Sequence, residues 1–132
     1  FEGIDGIKDA YTDMLETKQP IVSYEDIEYL KKMLPKNYYD YLPAERAKRN
    51  IPLRTISKDS SEARKFTEDD QKLIRQTKFI ATEHSFKTEI NIYGNKALMI
   101  SFREDRPFAT IIEDADIINT LRTSWNELWE RL

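Results

Sequence analysis

The sequence predicts an α/β domain in which a mixed sheet of about six strands is flanked by helices. Three features predict it. Apolar residues recur at helical spacing at both ends of the chain, the pattern turns from helical to alternating after Thr77, and an early strand-helix-strand order precedes a Gly94-Asn95 hairpin.

The first helix carries Ile4, Ile7, Tyr11, Met14 and Leu15 as one apolar stripe among acids and lysines, and Pro20 ends it. Ile21 and Val22 form a short strand. Ser23 and Asp26 then stand in the S-x-x-D arrangement of a helix start, with Ser23 as the expected N-cap, and that helix runs to Leu34 before Pro35. Residues 37–49 read as a helix interrupted near Pro43, with Tyr38, Tyr41 or Leu42, and Arg46 recurring along it, and Asn50 as its terminator. Ile51, Leu53 and Ile56 mark a second strand. The charged stretch 59–76 predicts one or two short, mobile helices, with Thr67 and Asp70 as a capping pair before Leu73 and Ile74.

Alternation then takes over at Phe79, Phe86, Ile90 and Ile92. Gly94-Asn95, between Ile90–Tyr93 and Ala97–Ile100, is strong hairpin chemistry because both residues tolerate positive φ. A last strand covers Phe108 to Ile112. The closing helix starts at Asp114, with Asp116 near its positive end, and should bury Ile117, Ile118, Leu121, Trp125, Leu128, Trp129 and Leu132. The strand-helix-strand unit implies a parallel pair, and the later hairpins add antiparallel strands to the same sheet.

At 132 residues the chain holds one domain, expected to span residues 1–132. It begins at Phe1 directly in a helical pattern and without Met, so it is read as a piece of a longer protein. Mean hydropathy of −0.70 and 34% charged residues describe a soluble surface around a modest core, and no run reaches the roughly 18 apolar residues of a membrane span, so a cytoplasmic protein without membrane contact is expected. No Cys and one His leave no thiolate chemistry and no His/Cys metal set, so neither cofactor nor metal is expected. With a net charge of −3 and its basic residues interleaved with acids, the chain lacks the cationic stripe that duplex binding uses.

The run Glu89-Ile90-Asn91-Ile92-Tyr93-Gly94-Asn95-Lys96-Ala97-Leu98-Met99-Ile100-Ser101-Phe102 resembles the E-I-x-I-Y-G-D/N-K-x-A-x-I-S-F signature of TrmB-like prokaryotic transcriptional regulators. Phe1 to Ile7 resembles that family's Y-E-G-x-x-G-I opening, Leu53 to Ile56 its V-R-x-I strand, and Ile111 to Glu113 with Leu121 to Trp129 its closing segment. The resemblance implies a C-terminal effector domain with the topology of a phospholipase D-like half-domain, preceded in the parent protein by a winged-helix DNA-binding domain and a dimerising helix. It also implies that DNA is met only through that missing domain. The superfamily's catalytic H-x-K-x-x-x-x-D would fall on Lys87, Glu89 and Gly94, where none of the required groups stands, so the chain is expected not to be an enzyme and to hold no catalytic residue.

Candidate ligand contacts follow from strand alternation and strand ends. Lys87, Glu89 and Asn91 would share the face opposite Ile90 and Ile92, either as a solvated face or as the polar floor of a pocket. Ligands in open α/β sheets sit beyond the carboxyl ends of the strands, which nominates Tyr24, Ser57 and Lys58. Arg54 could pair with Glu89 or meet ligand. His84 reads as a loop residue, while the tyrosines at 38, 39 and 41 and the pair Trp125 and Trp129 read as packing. The function that the resemblance implies is sensing of a small polar effector, such as a sugar, in a homodimer. A ligand-free dimerisation module and a divergent phosphodiesterase are the alternatives.

Overall fold

A computed structural model describes residues 1–132. Helix α1 (Gly3–Thr17) leads through β1 (Ile21–Glu25), α2 (Ile27–Met33) and α3 (Lys36–Lys48) to β2 (Leu53–Lys58). Then come α4 (Ser61–Phe66), a single 3-10 turn, β3 (Arg75–Ile80), β4 (Thr88–Tyr93), β5 (Lys96–Ser101), β6 (Phe108–Glu113) and α5 (Ala115–Arg131). The six strands form one sheet in the order β3-β2-β1-β4-β5-β6. β1, β2 and β3 run parallel, whereas β4 returns antiparallel beside β1 and continues into β5 and β6. The mixed α/β sheet flanked by helices is thus as the sequence predicts.

Both faces of the sheet are buried, which is why β1 opens with two consecutive apolar residues rather than an alternation. Ile21, Leu53, Tyr93, Leu98 and Ile100 face α1 and α2, packing on Ile7, Tyr11, Met14 and Leu30. Val22, Ile56, Ile92 and Ala97 face α5 and pack on Ile118, Trp125 and Trp129. The indole N–H of Trp125 donates to the Ser23 carbonyl at 2.8 Å and so pins α5 to β1. On α5, Ile117 and Leu132, expected in the core, are exposed.

The helix ends show what local chemistry fixes. Asp114 caps α5 by accepting the Ile117 N–H at 2.8 Å, and Asn50, at φ 57°, ends α3, both as expected. Ser23 does not cap α2. It is a buried residue of β1, and the Asp26 carboxylate accepts the Tyr29 N–H instead, because pairing with β2 and β4 carries β1 beyond Ser23. Nor do Thr67 and Asp70 start a helix: Ser60 caps α4, and the Thr67 hydroxyl donates back to the Arg64 carbonyl. Phe86 lies in the loop before β4 rather than in a strand. At the amino terminus, Phe1 and Gly3 bond to Ala109 and Pro107 beside β6, and Gly6 leaves room for the Phe1 backbone, which a Cβ there would meet at 2.9 Å.

Pro43 does not interrupt α3, although it removes one hydrogen bond from the helix interior. Tertiary anchoring offsets the loss. Arg46, 3% exposed, donates from Nη1 to the carbonyls of Ile51 (2.7 Å) and Ile74 (3.3 Å) and from Nη2 to that of Leu73 (2.8 Å). Burial, then the Arg75 charge, lower its pKa to about 10, so it stays protonated at neutral pH. Replacing it by Met leaves the Ile51 and Leu73 carbonyls without that donor, while Ile74 keeps the Leu53 N–H, and Arg46→Met is expected to cost about 3 kcal/mol of stability in urea titration. Lys36→Ala, which removes an exposed ion pair with Asp40, should leave the urea midpoint unchanged.

Candidate functional site

Alternation along the four central and neighbouring strands brings a set of polar side chains under α1, α2 and α3. Ser23 and Glu25 come from β1, Thr55 and Ser57 from β2, Arg75 from β3, and Glu89 and Asn91 from β4, all buried. Register places them side by side: Ser23 opposite both Thr55 and Asn91, and Glu25 opposite Ser57. The Ser23 hydroxyl donates to Thr55 Oγ1 at 2.7 Å. Arg75 Nη2 donates to Glu25 Oε1 in a buried ion pair, and its Nε lies 3.5 Å from Asp70 Oδ1.

Glu89 is the other carboxylate of this layer. Its Oε2 accepts the Tyr11 hydroxyl at 2.6 Å and its Oε1 accepts the Asn91 amide at 2.7 Å. Burial and the nearby charge of Glu25 raise its pKa to about 7, against the opposing pull of the Tyr11 and Asn91 hydrogen bonds and the Arg75 charge. Desolvation, reinforced by Glu89, holds the Tyr11 phenol well above its ordinary value. Tyr39 Oη is buried without a hydrogen-bond partner at the same place, where a cavity of about 70 Å³ is lined by Glu25, Glu89, Asn91, Arg46 and Arg75. That volume admits a few waters and is well below the roughly 300 Å³ at which metabolite pockets begin.

The sequence-nominated residues separate onto different surfaces. Glu89 and Ser57 lie on the α1 side, with the Ser57 hydroxyl turned to the Lys58 carbonyl at 3.1 Å. Lys87 precedes β4 and is exposed, so the expected trio on one strand face reduces to Glu89 and Asn91. At 5% and 3% exposure these two are not a solvated face, because helices cover both sides of the sheet. Tyr24, Arg54 and Lys58 have the opposite parity and face α5. Arg54 therefore does not pair with Glu89: its guanidinium lies over the rings of Trp125 and Trp129, 5.1 and 5.6 Å from their centroids.

Glu25, Arg75, Arg46, Tyr11 and Tyr39 were not nominated. A signal existed in the same-parity series Ile21-Ser23-Glu25 and Leu53-Thr55-Ser57, each apolar at one end and polar at the other. At the positions of the catalytic motif, Lys87 is exposed, Glu89 is buried, and Gly94 forms the β4-β5 turn at φ 56°. His84 sits exposed in the loop before β4, and no three metal-binding side chains gather anywhere in the fold. No helix is long and apolar enough to cross a membrane.

A second concavity opens at the amino ends of β1, β2 and β3, opposite to the strand ends that the sequence nominated. It encloses about 420 Å³ between Pro20, Pro52, Arg54, Asp70, Gln76 and Arg122.

No known family profile matches the chain, and no curated protein matches it. Among solved structures the chain is similar to TrmBL2, described as an archaeal chromatin protein that shows a novel mode of DNA binding. The TM-score is 0.62 at 16% identity, over 98% of this chain and 49% of that one. The two share a fold, and the chain spans about half the length of TrmBL2.

The raised pKa of Glu89 gives a signed pH dependence. The folded state holds a proton that the unfolded state releases near 4.5, so the stability is present below that pH and lost as pH rises through about 7. Glu89→Gln keeps the neutral shape of the group at every pH. In urea titrations from pH 5 to 8, the wild type should lose stability relative to Glu89→Gln, by about 3 kcal/mol at most. Parallel curves for the two proteins would show that Glu89 is ionised throughout.

Proposed function

We propose that this chain is a regulatory effector-binding domain of a TrmB-like transcriptional regulator, that it senses a small polar metabolite and mediates dimerisation, and that it carries out no catalysis. The supporting observation is the end-to-end fold likeness to half of a DNA-binding chromatin protein. The charge distribution agrees with DNA contact through another domain, because many cations here are matched by acids, as in Lys31–Glu62, Arg49–Glu45 and Arg64–Asp59. Sensing needs a ligand with different affinities for two arrangements of the protein.

Dimerisation rests on the same family likeness; Ile117 near the start of α5 and Leu132 just after its end are exposed apolar residues that an interface could cover, in a sensor or in a ligand-free dimer module alike. A phosphodiesterase finds no support at β4, where a buried carboxylate and an exposed lysine stand in place of an imidazole nucleophile. Melting curves against sugars and other polar metabolites, read beside analytical ultracentrifugation, separate these readings. A sensed metabolite at about 100 times its Kd should raise Tm by roughly 5–10 °C. A well-folded dimer that no metabolite stabilises would leave only the dimer module, and a monomer at high concentration would remove the dimerisation component.

A further inference from the structure

The geometry points to the cleft at the amino ends of β1, β2 and β3 as a binding site for a small anionic metabolite with hydrogen-bond donors, its anionic oxygens held by Arg54 and Arg122 and a donor group by Asp70. Its ligand would be the metabolite sensed, so the site rests on the sensing reading and adds to it a place and a charge.

At about 420 Å³ the cleft has the size of a small-molecule site, unlike the cavity beside Glu89. Three arginines border it: Arg75 is committed to Glu25 and Asp70, whereas Arg54 and Arg122 take part in none of the ion pairs of the fold. Arg54 lies over the rings of Trp125 and Trp129 and donates to no protein acceptor. Arg122 is held by one bond, Nη2 to the Gly94 carbonyl at 2.7 Å, and keeps its remaining donors free. Two positioned guanidinium groups without carboxylate partners form a fork suited to carboxylate or phosphate oxygens.

Asp70 supplies the opposite requirement. Its Oδ1 makes no hydrogen bond but lies 3.5 Å from Arg75 Nε, and burial raises its pKa against the opposing pull of Thr77 and Arg75. The side chain is 19% exposed, so the carboxylate keeps acceptor capacity for a ligand hydroxyl or ammonium group. Next to it, Ile74 has φ 53° and is exposed at the same cleft. A β-branched residue in the left-handed region is strained, and such strain concentrates at binding sites. The turn is held there because Arg46 binds the carbonyls of Leu73 and Ile74. The cleft thus combines a positive wall, a partly exposed carboxylate and a strained rim in a chain whose net charge is −3.

Calorimetric titration of the dialysed chain with 3-phosphoglycerate, glucose 6-phosphate, phosphoserine, inorganic phosphate and neutral glucose tests the site. At least one of the three substituted anions should bind, more weakly as salt rises. Arg122→Gln and Arg54→Gln should each weaken it about 10- to 100-fold, with Arg122→Lys in between and folding checked by circular dichroism. Inorganic phosphate, lacking the carbon-borne hydroxyl or ammonium group that would reach Asp70 while the anion sits on the arginines, should bind more weakly than that anion, and Asp70→Asn should narrow the gap. Binding of an anion undisturbed by either arginine substitution would overturn the site while leaving sensing intact. Binding of glucose alone would do the same, and no binding by any probe would count against both.

Discussion

A guanidinium can be buried between a sheet and its helices only if its N–H groups find oxygens, and Arg46 and Arg75 impose that constraint on this fold. Arg46 draws together the end of α3, the segment before β2 and the turn before β3 through three carbonyls. The Leu53 N–H then bonds to the Ile74 carbonyl, which sets β3 beside β2 with Leu53 opposite Arg75. That register delivers the Arg75 guanidinium to Glu25 at the far end of β1. One buried cation thus fixes the placement of the next, and the parallel half of the sheet is locked from α3 to β1. Hydrophobic contact alone would leave this register less specific, since neighbouring apolar residues can replace one another at small loss.

The same layer separates two environments with different capacities. Beside Glu89 the polar groups mostly satisfy one another, and the remaining space holds water-sized occupants. At the amino ends of the parallel strands the space is several times larger, and Arg54 and Arg122 there have no anionic partner. Buried, mutually bonded groups stabilise a single arrangement, whereas unmatched groups at an open cleft do not. The first environment therefore serves the fold in a way the second does not.

How much of this was legible in the sequence follows the range of the interactions. The hairpin at Gly94, the Asp114 cap, the Asn50 terminator and the six strands depend on neighbouring residues, and the local pattern gives them correctly. Ser23 and Asp26 are equally good caps in isolation; the choice is made by how far β1 pairs with strands more than thirty residues away, as Ser23 with Thr55 shows. Alternation correctly joined Glu89 to Asn91 but could not say whether Arg54 shared their side. Parity across two pairings decides it, because Arg54 lies opposite Val22 and Val22 opposite Ile92, which puts Arg54 with the α5-facing residues. The Glu25–Arg75 pair spans fifty positions: the same-parity series on β1 marks Glu25, but nothing local points to Arg75 as its partner. The site was thus half visible: Glu89 by alternation and Ser57 by its strand end, Arg75 and Arg46 not at all.

The two environments meet at one turn. Arg75 borders both the inner cavity and the outer cleft, and the carbonyls that hold Arg46 belong to the residue that bends into the left-handed region, Ile74, and to the one before it. Relaxing Ile74 to an ordinary conformation would turn those carbonyls away, and Arg46 would then be buried with fewer acceptors. The strain at Ile74 and the burial of Arg46 are therefore opposing terms balanced across a single peptide segment. A ligand that touched the cleft side of this turn would act on that balance directly, and through Arg75 on Glu25, without requiring the sheet itself to move. A short run of contacts thus joins the outer cleft to the buried core through one strained turn.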